Sequence, residues 1–328
     1  MKKVAIFCGG PSSEHEVSLS SAKSILEHID RKKYTPYVFY IQKNLKSSFF
    51  KVTKKIDPPK NTKFDDFENV LKENKGNFDV ALLSALHGEF GEDGTIQMIL
   101  ENLGIKYTGS DSKASSLCMD KYLSAEKVKK IKGLSFPETV RVDISKLTAT
   151  PPLSFPFIIK PNSLGSSVLV FIVKNQKEYK NAIKKIEGSS VTDLLFQKLI
   201  SGIEFSCGCL EKKSGKYIPV PPIEIIPKAT FFDYSAKYVL GGSEEITPPV
   251  SISKKESDKI SEITIKIHTI LSCSVYSRSD FMYDNGKLYY LETNTLPGMT
   301  ATSLLPQEAK AAKISFTKLL DFIITQSI

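Results

Sequence analysis

Short apolar runs alternate with amphipathic stretches along the first third of the chain. The runs Val4–Cys8, Val38–Ile41 and Val80–Leu83 have the length and composition of buried strands. Apolar residues at helical spacing predict helices over Ser18–Ile29 and Thr95–Leu103. Strands that alternate with helices predict a parallel sheet with helices on its faces, and we assign this α/β domain to residues 1–115.

The rest of the chain predicts two further units in which strands and helices are mixed. We assign a smaller α+β domain to residues 116–198 and a last domain to residues 199–328. The predicted strands are Phe157–Lys160, Ser167–Val173, Leu194–Lys198, Glu204–Leu210, Lys216–Ile226, Ser274–Tyr283 and Lys287–Asn294. The predicted helices are Asp120–Ile131, Gln176–Ile186, Glu256–Leu271 and Ala309–Ile324.

The last two predicted strands form a β-hairpin that carries several polar side chains. The turn between them contains Asn285 and Gly286, which both tolerate positive φ. Asp280 and Glu292 are separated by an even number of positions, which predicts a hairpin loop with an odd number of residues if there is no bulge elsewhere. Side chains alternate between the faces of a strand, so Arg278, Asp280, Glu292 and Asn294 are predicted to share one face.

Two carboxylates and one carboxamide on this face suit a hard cation such as Mg²⁺. Magnesium in proteins usually keeps waters and shares substrate phosphates, so the same face predicts a nucleotide beside it. The alternative is a solvated hairpin face with a surface ion pair. Pro297 and Gly298, together with the flanking apolar residues, favour a buried and shaped site.

A loop of glycine and small hydroxyl residues, 161–167, follows the predicted strand that ends at Lys160. Such residues let backbone N–H groups approach phosphate oxygens. The loop is not a Walker A motif, because its lysine precedes the glycine and no helix clearly follows. A plain connection between two strands is the alternative.

Two other loops follow strands of the first domain, at the sheet edge where open α/β folds bind ligands. Glu14 in one loop suits a substrate ammonium group, with a surface acid as the alternative. His87 in the other loop is either a substrate contact or a structural hydrogen-bonding residue. Glu92 and Asp93 complement the dipole of the helix that follows.

The segment 231–238 is rich in aromatic residues without strand alternation. An exposed apolar loop is costly unless it closes over a ligand, so we interpret this segment as a lid. A plain linker is the alternative.

Composition narrows the class of protein. The chain has 328 residues, 41% hydrophobic and 25% charged, with a net charge of +9. Basic charge allows nucleic-acid binding, but the lysines are dispersed and densest in Lys43–Lys75, which we interpret as a solvated excursion. Five scattered cysteines form no zinc pattern and are expected to be reduced, structural thiols in a cytoplasmic protein. No apolar run is long enough to span a membrane.

Six motifs in order give the chain a family resemblance. They are HGEFGEDG at 87–94, MDK at 119–121, IIKPNSLGSS at 158–167, FFDYSAKY at 231–238, RSD at 278–280 and LETNTLPGMT at 291–300. The set resembles the D-alanine–D-alanine ligases, which are ATP-grasp enzymes of peptidoglycan synthesis. The resemblance covers nearly the whole chain and is weakest at about 42–76.

The resemblance implies roles for individual residues. Glu292 is implied to bridge two metal ions, Arg278 to stabilise an oxyanion and Glu14 to receive the first substrate's ammonium group. The implied metal ligands are Asp280, Glu292 and Asn294. The implied ATP-binding residues are Lys121, Lys160, Gln197, Lys198, Ile200, Glu204 and Lys237. The implied catalytic residues are Glu14, Ser166, Tyr238 and Arg278, and Gly298, Ser303 and Leu304 are implied to lie by the oxyanion and the second substrate.

Four positions depart from the family pattern. Gln197 replaces a glutamate, Leu169 a glycine, Met98 a small residue and Ser279 an aliphatic residue. None of these changes removes a chemical group that the implied reaction needs, so they bear on packing and affinity.

The implied reaction joins two D-alanine molecules with ATP through an acylphosphate, using two Mg²⁺ or Mn²⁺ ions. The implied partners are D-alanine and ATP, without nucleic acid or membrane insertion, and the resemblance allows for a homodimer. Tyr238 implies D-alanine as the second substrate, with D-lactate or D-serine as the alternatives. A non-catalytic sensor of ATP or D-amino acids and a nucleic-acid-binding module are alternatives from other classes.

Overall fold

A computed structural model of the chain describes residues 1–52, 55–165, 168–227 and 243–328. Within these residues the strands form three sheets, of five, four and seven strands. The sheets follow one another along the chain, except for one short strand described below. The division into domains at residues 115 and 198 stays a prediction.

The first sheet is the predicted α/β unit. Its elements are β1 (Lys2–Gly9), α1 (His15–His28), β2 (Tyr34–Ile41), β3 (Lys46–Lys51), β4 (Asp65–Asp66), α2 (Phe67–Asn74), β5 (Val80–Leu82) and α3 (Thr95–Asn102). The strand order is β4-β3-β2-β1-β5, and β1 runs parallel to both β2 and β5. Helix α1 begins three residues before its predicted start, and Ser18 inside it accepts a hydrogen bond from the N–H of Gly9 at 2.8 Å.

The lysine-rich segment is not the solvated excursion that its composition predicted. Strand β3 pairs antiparallel with β2, and Ser47 and Ser48 are buried in that pairing. The ring of Phe49 stacks on Tyr37 with centroids 5.1 Å apart. Aromatic packing therefore holds this edge of the sheet, although lysines flank it on both sides.

The middle of the chain contributes a second sheet. The elements here are α4 (Ser112–Met119), α5 (Lys121–Val128), β6 (Leu134–Ser135), β7 (Thr139–Asp143), β8 (Phe157–Pro161), β9 (Phe171–Val173), α6 (Gln176–Glu187) and β10 (Asp193–Lys198). The order in the sheet is β7-β10-β8-β9. Helix α4 and edge strand β7 were not predicted, and β9 is shorter than predicted because Val168 and Leu169 lie in a turn.

The third sheet carries the hairpin. Its region contains β11 (Ile203–Glu211), β12 (Tyr217–Ile218), β13 (Ile223–Pro227), β14 (Ser243–Ile246), α7 (Lys254–Ile270), β15 (Tyr276–Asp284), β16 (Lys287–Asn294), α8 (Leu304–Ala311) and α9 (Phe316–Ser327). The order is β14-β13-β11-β15-β16-β6, with β12 as a seventh strand paired to β11 off this path, so the short strand β6 joins this sheet. One predicted strand, 216–226, is split into β12 and β13, because the intervening Pro221 and Pro222 lack the N–H that a ladder needs.

Two hydrophobic cores bracket the third sheet. Phe205, Phe281 and Tyr290 pack with Ile263 of α7 and Val128 of α5 on one side. The chain end contributes to another core through Leu305 of α8 and the buried face of α9. The single closing helix predicted over Ala309–Ile324 is two helices, because Lys313 between them has a positive φ of 63°.

The described residues contain no helix that is both long and apolar enough to cross a membrane. All five cysteines are buried and free.

Candidate active site

The β15–β16 hairpin places its polar side chains as predicted, but by a different route. Arg278 pairs with Asn294 and Asp280 with Glu292, whereas Phe281 pairs with Tyr290. The register therefore shifts by one residue between Asp280 and Phe281, which leaves Leu291 as a β-bulge. The loop has two residues, both with positive φ, rather than the predicted odd number. The bulge restores the shared face.

Asp280 is the most heavily hydrogen-bonded residue of this face. Its Oδ1 accepts from Ser206 Oγ at 2.6 Å and from Arg278 Nε at 2.9 Å. Its Oδ2 accepts from Arg278 Nη2 at 2.8 Å and from Asn294 Nδ2 at 3.3 Å. A carboxylate has about four acceptor sites, so all the sites of Asp280 have protein donors.

Arg278 is a partly buried cation held by carboxylates. Burial acts to lower the pKa of Arg278, but the charge and hydrogen bonds of Asp280 and the charges of Glu308 and Glu292 outweigh it and raise the pKa. The guanidinium is therefore permanently charged. Its two bonds to Asp280 fix its plane in the bidentate geometry that carboxylates favour.

Glu292 links the hairpin to the glycine-containing loop through Lys121. Lys121 Nζ lies 3.3 Å from Glu292 Oε2 and donates to the Leu164 carbonyl at 2.7 Å. A small cavity of about 20 Å³ lies at this junction and is lined by Lys121, Gly165, Glu292 and Asn294, among others. The hairpin face and the predicted phosphate loop are thus adjacent in space.

Glu14 approaches the same loop from the first sheet. A Cβ built on Gly165 would lie 3.1 Å from Glu14 Oε2, and a Cβ built on Gly88 would lie 2.9 Å from it. The carboxylate of Glu14 is therefore wedged between two glycines, and the residue is buried. The alternative interpretation of Glu14 as a surface acid is wrong.

His87 is buried and has both ring nitrogens bonded to protein. Its Nε2 lies 2.9 Å from Ser21 Oγ and its Nδ1 lies 3.3 Å from the Leu296 carbonyl. Burial lowers the pKa of His87, against the raising effect of Glu14. A neutral ring that donates from Nδ1 and accepts at Nε2 satisfies both contacts. The geometry favours the structural role, and a substrate contact of His87 stays a prediction.

Glu92 is an acid near the site that the sequence assigned only to a helix end. Its Oε2 accepts from the N–H of Gly88 at 2.7 Å. Burial, followed by the charge of Glu14, raises the pKa of Glu92 to about 8. Glu92 also lines the small cavity with Glu292, so it borders the hairpin face.

A larger cleft lies between the second and third sheets. Its volume is about 240 Å³, and Lys121, Leu195, Gln197 and Leu291 line it. Gln197 Nε2 donates to Thr139 Oγ1 at 3.1 Å, which turns its oxygen away from that partner. That oxygen is an acceptor where the family pattern has a carboxylate.

The other predicted ATP-binding residues that the structure describes lie in or beside strands β8, β10 and β11. Lys160 pairs with Leu195 across β8 and β10, and it therefore shares the cleft-side face. Lys198 has the opposite parity, so its side chain lies on the other face of the sheet, while its N–H donates to the Glu138 carbonyl at 2.8 Å. Ile200 is half-buried between β10 and β11, and Glu204 pairs with Met282.

The predicted second-substrate residues lie where the chain enters α8. Ser303 Oγ accepts from the N–H of Thr300 at 3.1 Å and lies 2.8 Å from Thr300 Oγ1. A Cβ on Gly298 would lie only 2.9 Å from Ser303 Oγ, so Gly298 permits this close turn. Leu304 is the first residue of α8 and is half-buried.

Three predicted site residues, Ser166, Lys237 and Tyr238, lie outside the described residues. The predicted lid at 231–238 does so too.

The structure shows the surroundings or backbone conformation of three residues that depart from the family pattern. Ser279 Oγ lies 2.8 Å from Thr293 Oγ1 on the face of the hairpin opposite Asp280, so its hydroxyl is satisfied in the core. Leu169 has a φ of 56°, the left-handed region that a glycine adopts without strain. Met98 is exposed on α3.

Sequence reasoning missed two residues on the site face. Ser206 pairs with Asp280 across β11 and β15, and only the strand register reveals it. Glu308 of α8 is fully buried. Glu308 follows the buried Leu305 by three positions, which places both on one helix stripe, and this spacing was the signal of an inward-facing acid.

Two family models match the chain one after the other. The model described as D-ala D-ala ligase N-terminus matches residues 3–110. The model described as D-ala D-ala ligase C-terminus matches residues 111–325.

Curated and solved relatives match over their full length. The D-alanine--D-alanine ligase of Leptospira biflexa is 41% identical, with 99% of both chains covered. D-alanine--D-alanine ligase B of Clostridium perfringens is 39% identical, covering 99% of this chain and 98% of the relative. The crystal structure of a Bacillus anthracis D-alanine--D-alanine ligase complexed with ATP has a TM-score of 0.77 at 31% identity, covering 100% of this chain and 97% of that one. The VanG D-Ala:D-Ser ligase of Enterococcus faecalis has a TM-score of 0.80 at 29% identity, covering 100% and 99%.

Proposed function

This chain belongs to the D-alanine–D-alanine ligase family, and we propose that it joins two D-alanine molecules into D-alanyl-D-alanine for peptidoglycan precursors, converting ATP to ADP and phosphate. The family resemblance and the α/β and α+β fold class with ATP-grasp architecture are confirmed. The observation that carries the proposal is the single face on which β15 and β16 gather Arg278, Asp280, Glu292 and Asn294.

The chemistry needs an activated carboxylate. An amine cannot expel oxide from a carboxylate, so the carboxylate of the first D-alanine first attacks the γ-phosphorus of ATP and forms D-alanyl phosphate with release of ADP. The amine of the second D-alanine then attacks the acyl carbon, and phosphate leaves. Holding three reactants in line supplies a large share of such a rate enhancement.

ATP binding is supported by the ATP complex of the solved Bacillus anthracis relative and by the cleft between the second and third sheets. Lys121 reaches both the cleft and Glu292, so its ammonium group suits phosphate oxygens at that junction. Lys160 on the cleft-side face and Lys237 are assigned the same role. Gln197 offers its amide oxygen to the adenine amino group.

The hairpin face fits two Mg²⁺ or Mn²⁺ ions. Asp280 and Glu292 are a directly opposed pair across the hairpin, with Asn294 one pleat further on the same face. Two carboxylates and an amide oxygen are the donors that magnesium takes together with phosphates and water. Asp280, Glu292 and Asn294 would hold the ions, and the bound ions would supply positive charge that neutralises the transferring phosphoryl group.

The amino-acid substrates lie between this face and the first sheet in our proposal. The buried carboxylate of Glu14 receives the ammonium group of the first D-alanine. Arg278 and the Gly298 amide stabilise the oxyanion that forms when the acyl carbon becomes tetrahedral. Ser303 and Leu304 at the start of α8 face the carboxylate of the second D-alanine, where the N-terminus of the helix favours an anion.

Glu14 also joins the first sheet to the loop after Gly165. We assign Glu14, Ser166 and Tyr238 to one hydrogen-bonded trio that ties the first sheet, the loop and the lid together. A Cβ built on Gly165 would lie 3.1 Å from Glu14 Oε2, and this closeness of Glu14 to the loop supports the first link of the trio. A closed lid protects the acylphosphate from water.

A coupled assay of ADP release tests this function. We expect ADP release that requires both D-alanine and Mg²⁺, is absent with L-alanine, and yields D-alanyl-D-alanine as the product. A protein that shows no D-alanine-dependent ADP release is a sensor on the same fold rather than a ligase.

The second acceptor is a separate question, because the solved VanG relative is named a D-Ala:D-Ser ligase. Mixtures of D-alanine with D-serine or D-lactate, analysed by mass spectrometry near neutral pH, decide it. We expect the dipeptide of D-alanine to dominate. A dominant D-Ala-D-Ser product or a depsipeptide would overturn the assignment of Tyr238 to a D-alanine acceptor.

A further inference from the structure

Glu308 is a buried acid that has no side-chain hydrogen-bond partner among the described residues. The residue has 0% exposure, and only the backbone N–H of Gly208 approaches its carboxyl group. Burial raises the pKa of Glu308 well above its usual range, while the neighbouring charge of Arg278 acts to lower it. A buried carboxyl group that is so poorly hydrogen-bonded calls for an explanation, because its burial is costly.

The fold makes space for this carboxyl through one glycine. A Cβ built on Gly208 would lie 2.6 Å from Glu308 Oε2 and 2.3 Å from Leu305 Cδ1. Any larger residue at this position of β11 would therefore collide with the side chains of α8. The carboxyl of Glu308 occupies the place where a side chain of β11 would begin.

Gly208 is also the residue directly opposite Arg278. The two pair across β11 and β15, just as Ser206 pairs with Asp280. Opposed residues project to the same face of a sheet with their Cβ positions about 5 Å apart. The carboxyl of Glu308 therefore lies beside the root of the Arg278 side chain, on the face that carries Asp280.

Asp280 cannot serve a metal ion and hold Arg278 in the present way at once. Its acceptor sites are filled by Ser206, Asn294 and the two bonds from Arg278. A divalent cation at Asp280 needs at least one of these sites, and it repels the guanidinium. Arg278 would then be a partly buried cation that has lost its partner, which is unfavourable.

We propose that Glu308 is a positioning residue that takes over Arg278 when Asp280 turns to a divalent cation. Glu308 keeps the guanidinium in the site, so that it is free of Asp280 and aimed at the substrate carboxylate. The inference rests on the proposed function, since it assumes that Asp280 is a metal ligand. It assigns a role to Glu308 and Gly208 as a matched pair, one residue supplying the carboxyl acceptor and the other the space.

Binding of Mn²⁺ alone, followed by the electron paramagnetic resonance signal of the free ion, tests the proposal without catalysis. The Asp280→Asn protein gives the binding at unrelated sites, which is subtracted. In Glu308→Gln the guanidinium has no alternative carboxylate and competes better for Asp280, so we expect the Kd for Mn²⁺ to rise about tenfold. An unchanged Kd in a folded Glu308→Gln protein overturns the proposal.

A double-mutant cycle with Arg278→Met separates this role from a general effect of charge. Without the guanidinium, Glu308 has nothing to take over, so Glu308→Gln should then change the Kd by less than about twofold. An equal loss of affinity in both backgrounds would mean that Glu308 acts on the ion by its charge alone, and the proposal is wrong. Failure of the wild-type protein to bind Mn²⁺ at Asp280 would instead overturn the metal assignment itself.

Glu224→Gln is the matched control. Glu224 is also a buried acid and lies on β13 of the third sheet. It pairs opposite Phe205 on the face away from Glu308 and accepts from the N–H groups of Val250 and Ser251. We expect its Kd for Mn²⁺ to match the wild type, and a weakening equal to that of Glu308→Gln would argue against a specific role for Glu308.

A crystal structure of the wild-type protein with Mg²⁺ and ADP keeps the proposal testable if the variants fold poorly. We expect an Arg278 nitrogen within about 3.2 Å of a Glu308 oxygen. A guanidinium that remains bidentate on Asp280 beside a bound ion would overturn the proposal.

Discussion

The two faces of strands β11, β15 and β16 differ in how their polar groups are satisfied. On one face Ser206, Arg278 and Asp280 form a dense network that borders a cavity and includes a carboxylate with every acceptor site engaged. On the other face the hydroxyls of Ser279 and Thr293 pair with each other among apolar side chains.

This difference separates function from stability within single strands. Adjacent residues such as Ser279 and Asp280 belong to opposite faces, so their substitutions should report on different properties. The site face carries charged side chains whose hydrogen bonds a ligand can change. On the core face the hydroxyls of Ser279, Thr293 and Tyr290 hydrogen-bond only to protein groups. Four substitutions test this separation.

Glu292→Gln should have the largest effect on the site face. The variant keeps the shape of the side chain but loses the charge with which Glu292 would hold the ions, so we expect kcat to fall at least about 100-fold. Thermal unfolding should stay close to that of the wild type. The exposed acid Glu262 of α7 provides the control Glu262→Gln, which should leave both properties unchanged. Normal turnover in folded Glu292→Gln would remove the metal assignment.

Phe281→Ala should have the largest effect on the core face. Phe281 has 0% exposure and packs with Phe205 and Tyr290, so its truncation leaves a cavity worth about 3–5 kcal/mol in the free energy of unfolding. Urea denaturation measures the loss. Activity per folded molecule at low temperature should change far less than in Glu292→Gln. A comparable loss of turnover in fully folded protein would show that the two faces are coupled.

Ser206→Ala should lower activity moderately, because it removes one of the hydrogen bonds to Asp280 and leaves the charged side chains of the site face in place. Asp280 keeps three of its four hydrogen bonds but loses the donor that orients Oδ1, so we expect kcat to fall about tenfold. The accompanying loss of stability should be about 1 kcal/mol. A steady-state assay alongside urea denaturation gives both numbers, and unchanged kinetics would mean that Ser206 does not orient a catalytic group.

Ser279→Ala is the matched serine on the core face and should have the smallest effect. The loss of its contact with Thr293 should lower the free energy of unfolding by about 1 kcal/mol, while kcat stays unchanged. Adding Thr293→Val to Ser279→Ala should not recover the loss, because the buried hydroxyl of Tyr290, which donates to Thr293 Oγ1 at 2.9 Å, then also loses this acceptor. A kinetic defect in Ser279→Ala would contradict the separation of the faces.

The polar face of the hairpin was predictable because strand alternation is a local property of the sequence. The prediction of an odd-residue loop was wrong, yet the faces were right, since the bulge at Leu291 offsets the two-residue turn. Asn285 and Gly286 indicate a turn, but no residue type announces the bulge. The position of the bulge depends on tertiary packing, because Phe281 and Tyr290 must both face the core.

Other errors arose where partners distant in sequence decide the structure. Strand β3 was hidden by lysines, and only its pairing with β2 explains the burial of Ser47 and Ser48. The break between α8 and α9 falls at Lys313, a residue type that gives no signal of a positive φ. The single predicted helix began at Ala309, so Glu308 lay outside every predicted element and was assigned no role.

The bulge at Leu291 also makes the hairpin tolerant of a change in length at one position only. Loss of Leu291 would join Tyr290 directly to Glu292 and leave an unbroken ladder, with each still on its own face. Loss of a residue anywhere else in the hairpin would move either the carboxylates or the aromatic rings to the wrong side. Among homologues, single-residue deletions in this hairpin should therefore occur mainly at the position of Leu291. Leu291 lines the cleft, so its loss would also remove an apolar side chain from the wall of the cleft while leaving both faces of the hairpin in place.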